Sequence, residues 1–164
     1  MNKIIIGIFV IVAVGGVIWI ARPTSQSGNT ASLAPSSNGT LSAEELNFDF
    51  GTISMAAGDV SHAFTIKNTG ADPVAIEKIY TSCMCTTALL TLGGKQFGPF
   101  GMPGHIAVPR INKSLNPGEE AIVEVVFDPT AHGPAGVGTI QRVVTIENNA
   151  GEPLELQFSA VVTP

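Results

Sequence analysis

Residues 154–162 read LELQFSAVV, an alternation that is the main clue to the fold. Apolar residues fall at every second position, whereas Glu155, Gln157 and Ser159 fall between them. Successive side chains of an extended strand point to opposite faces, so the pattern predicts a β-strand with one buried face. The residues on that face are Leu154, Leu156, Phe158, Ala160 and Val162.

Earlier parts of the chain show the same period of two, and turn residues separate them. The alternating runs are residues 45–51, 60–66, 121–127 and 139–147, with a shorter β-branched run at 74–80. Gly, Pro and Asn follow or precede these runs, as in Asn68-Thr69-Gly70 and Pro117-Gly118. Since no helical period occurs after the first 22 residues, we predict an all-β antiparallel sandwich of about seven strands.

An unbroken apolar run occupies residues 4–21, with Lys3 before it and Arg22 behind it. A helix rises about 1.5 Å per residue, so this run nearly crosses a hydrocarbon core of roughly 30 Å. Bulky residues precede the candidate cleavage position after Ala21, whereas signal peptides are cut after small ones. We predict that residues 1–22 are an uncleaved membrane anchor, with a cleaved signal peptide as the alternative.

The remaining chain divides into a linker and one domain. Residues 23–42 are mostly Thr, Ser, Gly, Asn, Ala and Pro, which predicts a flexible tether. Residues 43–164 are long enough for a domain with its own core. The short amino-terminal tail favours a single-pass protein of the cell membrane, whose domain lies outside the cytoplasm, in the periplasm or at the cell surface.

The charge of the chain excludes some kinds of partner. The formal net charge is −5, and the 8 Lys and Arg residues are scattered along the sequence. Proteins that bind nucleic acid show a basic stripe, so we predict no such partner. The expected partners are the membrane and, as an alternative, another envelope protein.

Five segments and a following arginine form one set of motifs: 48–51 (FDFG), 60–70 (VSHAFTIKNTG), 81–86 (TSCMCT), 116–119 (NPGE) and 127–138 (FDPTAHGPAGVG), then Arg142. Together they resemble a large bacterial extracytoplasmic family that is catalogued as a domain of unknown function. That family is itself similar to Hydin-type immunoglobulin-like domains. The resemblance implies an immunoglobulin-like sandwich and an exported protein, and it brings no catalytic activity. Met84 stands where the family pattern has Gly, and the connection after the cysteines is longer.

Cys83 and Cys85 are the only cysteines, and a single residue separates them. Two thiols at this spacing can share a soft metal ion, form a local disulfide or remain inert apolar residues. A disulfide between them needs a tight turn, because side chains two apart in a regular strand are poorly placed for a bond. The sequence leaves these three alternatives open.

A long irregular loop is predicted at residues 87–109, because glycines and prolines interrupt the strand pattern there. The loop contains Met102 and His105. We predict a soft metal site in which the thiolates of Cys83 and Cys85 are joined by His105 and a thioether. The thioether is that of Met84 or Met102, and Cu(I) is expected before Zn.

Other polar residues receive structural interpretations. We expect His62 to pack within its strand, and His132 to be an exposed residue in a Gly- and Pro-rich loop. Arg142 lies on an apolar strand face, where a carboxylate such as Asp128 is its expected partner. No nucleophile and base arrangement, redox motif or blue-copper ligand order is recognisable.

The sequence therefore predicts an extracytoplasmic, membrane-anchored binding module that is not an enzyme and that binds a soft metal ion at its cysteine turn. The alternative is an envelope scaffold or adhesion domain that binds another protein through loops or a strand edge. In that case the cysteines are structural or disulfide-bonded.

Overall fold

A computed structural model describes residues 38–164, which form ten strands in two five-stranded sheets. The strands are β1 (Leu41–Ala43), β2 (Asn47–Ser54), β3 (Val60–Asn68), β4 (Val74–Thr81), β5 (Thr86–Leu92), β6 (Lys95–Phe100), β7 (Lys113–Leu115), β8 (Glu120–Phe127), β9 (Gly138–Asn148) and β10 (Leu154–Thr163). Single 3-10 turns occur at Met55–Ala57 and Gly133–Gly136. Within the described part of the chain, no helix is long and apolar enough to cross a membrane. The predicted anchor at residues 1–22 lies outside that part.

The first sheet has the strand order β1-β3-β8-β5-β6, and the second has the order β2-β10-β9-β4-β7. The all-β sandwich predicted from the alternation is confirmed. Two details of the prediction are wrong: residues 38–164 contain ten strands rather than about seven, and β2 pairs with β10 in parallel. The three-residue strands β1 and β7 are too short to show alternation, and a period of two carries no information about strand direction.

The first half of the predicted loop at residues 87–109 is instead a hairpin. Strands β5 and β6 are antiparallel, and the turn between them is Gly93-Gly94, where both residues have positive φ (57° and 73°). Two glycines tolerate this conformation without strain, and it matches the twist of a hairpin. Strand β6 lies at the sheet edge, so it pairs with a neighbouring strand on one side only. Proline has no N–H to donate and is tolerated in such an edge strand, as at Pro99.

The core lies between the two sheets, on the faces that the alternation predicted. In β10, every residue expected to face inward is buried except Leu154, which is half-buried. In β8 the buried positions include Val123, Val125 and Phe127, and in β9 they include Ile140 and Val144. The period of two therefore identified the buried faces of these strands correctly.

The polar side chain of Asn68 is fully buried at the end of β3. Its Nδ2 donates hydrogen bonds to the carbonyl oxygens of Asp72 (2.8 Å) and Leu115 (2.9 Å). Its Oδ1 accepts from the backbone amides of Thr40 (3.3 Å) and Gly70 (3.0 Å). The side chain thereby joins the segment before β1, the β3–β4 turn and β7.

We expect Asn68→Ala to lower the free energy of unfolding by about 2–4 kcal/mol, because buried carbonyl and amide groups lose their hydrogen-bond partners. Each unsatisfied group costs about 1–3 kcal/mol, and water that enters the space partly replaces the lost hydrogen bonds. Denaturant unfolding followed by circular dichroism measures the change. The control is Asn47→Ala at an exposed position of β2, expected to change stability by less than about 0.5 kcal/mol. Equal losses in the two variants would contradict a special role for Asn68.

Candidate functional site

Three connections that pass from one sheet to the other meet at one end of the sandwich. They are residues 82–85 between β4 and β5, 101–112 between β6 and β7, and 128–137 between β8 and β9. Side chains from all three line one surface depression with a volume of about 520 Å³. Its wall consists of Ser82, Cys83, Met84, Met102, His105, His132, Gln141 and Arg142.

The cysteines lie in a tight turn, and their sulfurs are joined in a disulfide. The turn is closed by the Thr86 amide, which donates to the Cys83 carbonyl (3.2 Å). The buried Thr81 hydroxyl lies 2.9 Å from that same carbonyl oxygen and 3.0 Å from the carbonyl oxygen of Thr86. Of the three alternatives that the sequence left open, the structure contains the local disulfide, and it has the tight turn that such a bond requires.

Backbone contacts hold this turn against both sheets. The Ser82 amide donates to the carbonyl of Val143 in β9, and the Val143 amide donates to Ser82 Oγ, both at 2.9 Å. The amide of Asp128, just after β8, donates to the Cys85 carbonyl (2.9 Å). Hydrogen bonds to β9 and to the end of β8 therefore fix the backbone that carries the two sulfurs.

His132 is the imidazole closest to the sulfurs. Its Nε2 lies 3.1 Å from Cys83 Sγ, and the three donor atoms of Cys83, Cys85 and His132 all lie within 4.8 Å of one another. His132 directly precedes the 3-10 turn Gly133–Gly136, in which Pro134 limits the backbone. The prediction that His132 is exposed is confirmed, but the sequence interpretation missed its contact with the cysteines.

Arg142 is directed at the other sulfur. Its Nε donates to Cys85 Sγ (3.3 Å), and its Nη1 donates to the Gln141 carbonyl (2.8 Å). Among residues 38–164, no carboxylate lies within ion-pair distance of this guanidinium. The predicted pairing with Asp128 is wrong, since Asp128 Oδ1 accepts from Thr130 instead. The positive charge of Arg142 therefore faces sulfur.

The predicted ligands Met84, Met102 and His105 do share the depression with Cys83. However, His105 is outside the group of donor atoms that lie within 4.8 Å of one another, and His132 takes the place predicted for it. Met84 is 48% exposed at the tip of the turn. The structure thus brings the predicted residues to one surface, and it assigns the imidazole beside the sulfurs to a different histidine.

His62 is not part of the depression wall. Its ring stacks on Phe48 with a centroid distance of 3.5 Å, and its Nε2 contacts the carboxylate of Glu45. The prediction that this histidine packs within its strand is confirmed.

A signal for the missed residues was present in the sequence. Arg142 lies between Ile140 and Val144 on the inward face of β9, where a charged side chain is costly unless it has a partner. His132 belongs to the segment 127–138 that carried part of the family resemblance. Neither feature identifies sulfur as the partner, because the contacts are long-range.

The sequence model of a family described as "Protein of unknown function (DUF1573)" matches residues 41–92. This segment runs from β1 through β5 and includes both cysteines, whereas His132 and Arg142 lie beyond it. A search of curated proteins finds no match.

Similar solved structures include a protein of unknown function from Porphyromonas gingivalis W83, with 17% identity and a TM-score of 0.57 over 81% of this chain and 51% of that chain. A family 123 glycoside hydrolase from Clostridium perfringens shows 6% identity and a TM-score of 0.50 over 76% and 27% of the respective chains. PapD-like domain 7 of human CEP192 shows 16% identity and a TM-score of 0.44 over 79% and 87%. The chain thus spans about half the length of the first of these proteins.

For the first two of these structures, the likeness extends to the fold alone. Two packed sheets of this strand order define the class of the domain, an immunoglobulin-like sandwich, and residues 41–92 are similar to a family of unknown function.

Proposed function

We propose that this protein is a membrane-anchored, extracytoplasmic binding module without catalytic activity, and that its reduced cysteine pair binds one Cu(I) ion together with His132. One observation carries the proposal: two sulfurs and an imidazole nitrogen lie within 4.8 Å of one another. Thiolate is a soft ligand that selects Cu(I), and imidazole is also a ligand for copper.

The donor spacing suits a metal ion once the disulfide is reduced. Metal bonds of about 2.0–2.3 Å to nitrogen and sulfur place neighbouring ligands about 3.3–4 Å apart. Cys83 Sγ and His132 Nε2 are already close to this distance, at 3.1 Å. Breaking the disulfide frees the sulfurs to separate by rotation of their side chains, while the hydrogen bonds of the turn hold the backbone.

The surrounding charge favours a monovalent ion. Two thiolates and Cu(I) carry a net charge of −1, and the Arg142 guanidinium lies 3.3 Å from Cys85 Sγ, where it compensates that charge. The two cysteines are only 8% and 2% exposed, so the attraction acts in a partly desolvated site. The positive charge of Arg142 also disfavours binding of the divalent ion Zn²⁺. In addition, a tetrahedral zinc site needs a fourth ligand.

The remaining wall residues supply further soft donors at the entrance. Met84 and Met102 line the depression, so a copper ion that enters it passes their thioethers, but the bound ion is held by the two thiolates and His132. The location outside the cytoplasm is supported by the apolar run at residues 4–21 and by the disulfide, since such bonds persist in oxidising compartments.

The test compares the full chain in detergent before and after reduction, with Cu(I) supplied anaerobically and measured by competition with a chromogenic chelator. We expect one tightly bound Cu(I) per reduced chain and no specific binding by the disulfide form. Absence of binding by the reduced chain would overturn the proposal and favour the scaffold alternative. Equal binding by both forms would overturn it by placing the copper away from the cysteines.

Replacing each histidine separately identifies the third ligand. We expect His132→Ala to weaken Cu(I) binding by at least about tenfold, because it removes the imidazole beside Cys83. His105→Ala serves as the matched control in the same wall and should change the affinity by less than about threefold. A larger effect of His105→Ala would restore the ligand predicted from the sequence and reject His132.

A further inference from the structure

The two sulfurs of the disulfide have different surroundings. Cys83 lines the depression, whereas Cys85 does not and is only 2% exposed. Cys85 Sγ receives the Nε–H of Arg142 at 3.3 Å, and Cys83 Sγ lies beside the exposed imidazole of His132. A small molecule that enters the depression therefore meets Cys83 first.

We propose that the Cys83–Cys85 disulfide exchanges with low-molecular-weight thiols, with attack at Cys83 and departure of Cys85 as a thiolate beside Arg142. This is a chemical activity of the site that requires no metal. It also provides the reduced cysteine pair on which the proposed metal site depends.

The exchange consists of two substitutions at sulfur. A small thiol releases its proton to water, and its thiolate attacks Cys83 Sγ. A new sulfur–sulfur bond forms, the bond to Cys85 breaks, and its electron pair remains on Cys85 Sγ. A second small thiolate then attacks the non-protein sulfur of the mixed disulfide, and Cys83 leaves as a thiolate.

The electrons and protons balance over the two steps. Two small thiols become one small disulfide and release two electrons and two protons. The protein disulfide gains both electrons, and its two thiolates take up two protons from water. No further oxidant or reductant is needed.

The positions of the charges determine which sulfur leaves. Negative charge develops on the departing sulfur, and the Arg142 guanidinium lies beside Cys85, where it stabilises that charge. Departure of Cys83 would instead require attack on Cys85, which is covered by the turn and by Arg142. Arg142 thus acts as a positioning residue for the leaving thiolate.

The test uses the full, disulfide-bonded chain in detergent with a metal chelator, and reduced glutathione is the probe. Samples are quenched with acid and alkylating reagent, and peptide mass spectrometry locates the glutathione adduct. We expect the transient adduct on Cys83. An adduct on Cys85, equal amounts on both cysteines, or no adduct and no reduction would overturn the proposal.

Variants of Arg142 separate charge from structure. We expect Arg142→Gln to slow reduction by glutathione about tenfold, with Arg142→Lys recovering part of the rate because it keeps the positive charge. Lys113→Gln, a charge removal at β7, should leave the rate unchanged. An unchanged rate in Arg142→Gln would overturn the role of the guanidinium.

A second measurement does not depend on the stability of the arginine variants. The Cys85→Ser variant keeps only the Cys83 thiol, and the Cys83→Ser variant keeps only the Cys85 thiol. We expect the Cys83 thiol to form a mixed disulfide with oxidised glutathione at least about tenfold faster than the Cys85 thiol does. The reverse order would overturn the proposal. Copper binding is assayed separately, after complete chemical reduction, so failure of one proposal does not imply failure of the other.

Discussion

Cys83→Ser should lower the Cu(I) affinity of the reduced chain by at least about a thousandfold, or about 4 kcal/mol. The variant replaces one of two thiolates with a neutral hydroxyl, which is a poor ligand for a soft cation. The remaining sulfur and the His132 imidazole form only a two-donor site. Chelator competition with the full chain under anaerobic conditions measures the loss.

Met84→Leu is the matched control for this substitution, because it changes the residue between the cysteines and keeps its approximate volume. Met84 is half exposed, so the turn should tolerate leucine. We expect the affinity to change by less than about threefold. If Cys83→Ser retained the affinity of the Met84→Leu variant, the copper bound by the parent would belong to another site.

Phe158→Ala is expected to reduce the free energy of unfolding by about 3–5 kcal/mol, the usual cost of removing a buried aromatic ring. Phe158 is 1% exposed in β10, which lies between β2 and β9 in the second sheet. Its ring contacts Phe50 and Phe127, each with a centroid distance of 5.5 Å. Truncation leaves a cavity that the paired strands around it can close only in part.

Denaturant unfolding of the parent and the variant measures this effect. Phe97→Ala is the control, since that ring is half-buried in the edge strand β6, where Lys113 Nζ lies 5.0 Å from its centroid. We expect a loss of less than about 2 kcal/mol there, because one side of the ring already faces solvent. Equal losses would show that the β6 edge is as important for stability as the core.

The alternation of apolar residues was sufficient to predict the buried faces because strand geometry is a local property. Val123, Val125 and Phe127 follow the period of two, and all three are buried between the sheets. Gly98 and Pro99 concealed strand β6, since these residues are tolerated at a sheet edge but resemble a loop in sequence. The parallel pairing of β2 with β10 was not predictable, because alternation does not specify the neighbouring strand.

The candidate site was predictable only where its residues are neighbours in the chain. Cys83 and Cys85 lie together in sequence, and their spacing predicted a shared metal ion, a local disulfide or two inert thiols; the structure contains the disulfide. His132 is 49 residues from Cys83, and Arg142 is 57 residues from Cys85. Contacts over such separations depend on which connections reach the same end of the sandwich.

Amino-acid order alone established the all-β architecture, the inward faces of the main strands and the cysteine turn, since each depends on interactions between residues close in the chain. Folding selected His132 rather than His105 as the imidazole beside the sulfurs, and it directed Arg142 to Cys85. The physical reason is that strand pairing and sheet packing, which involve the whole domain, bring the β8–β9 connection and β9 against the turn that follows β4.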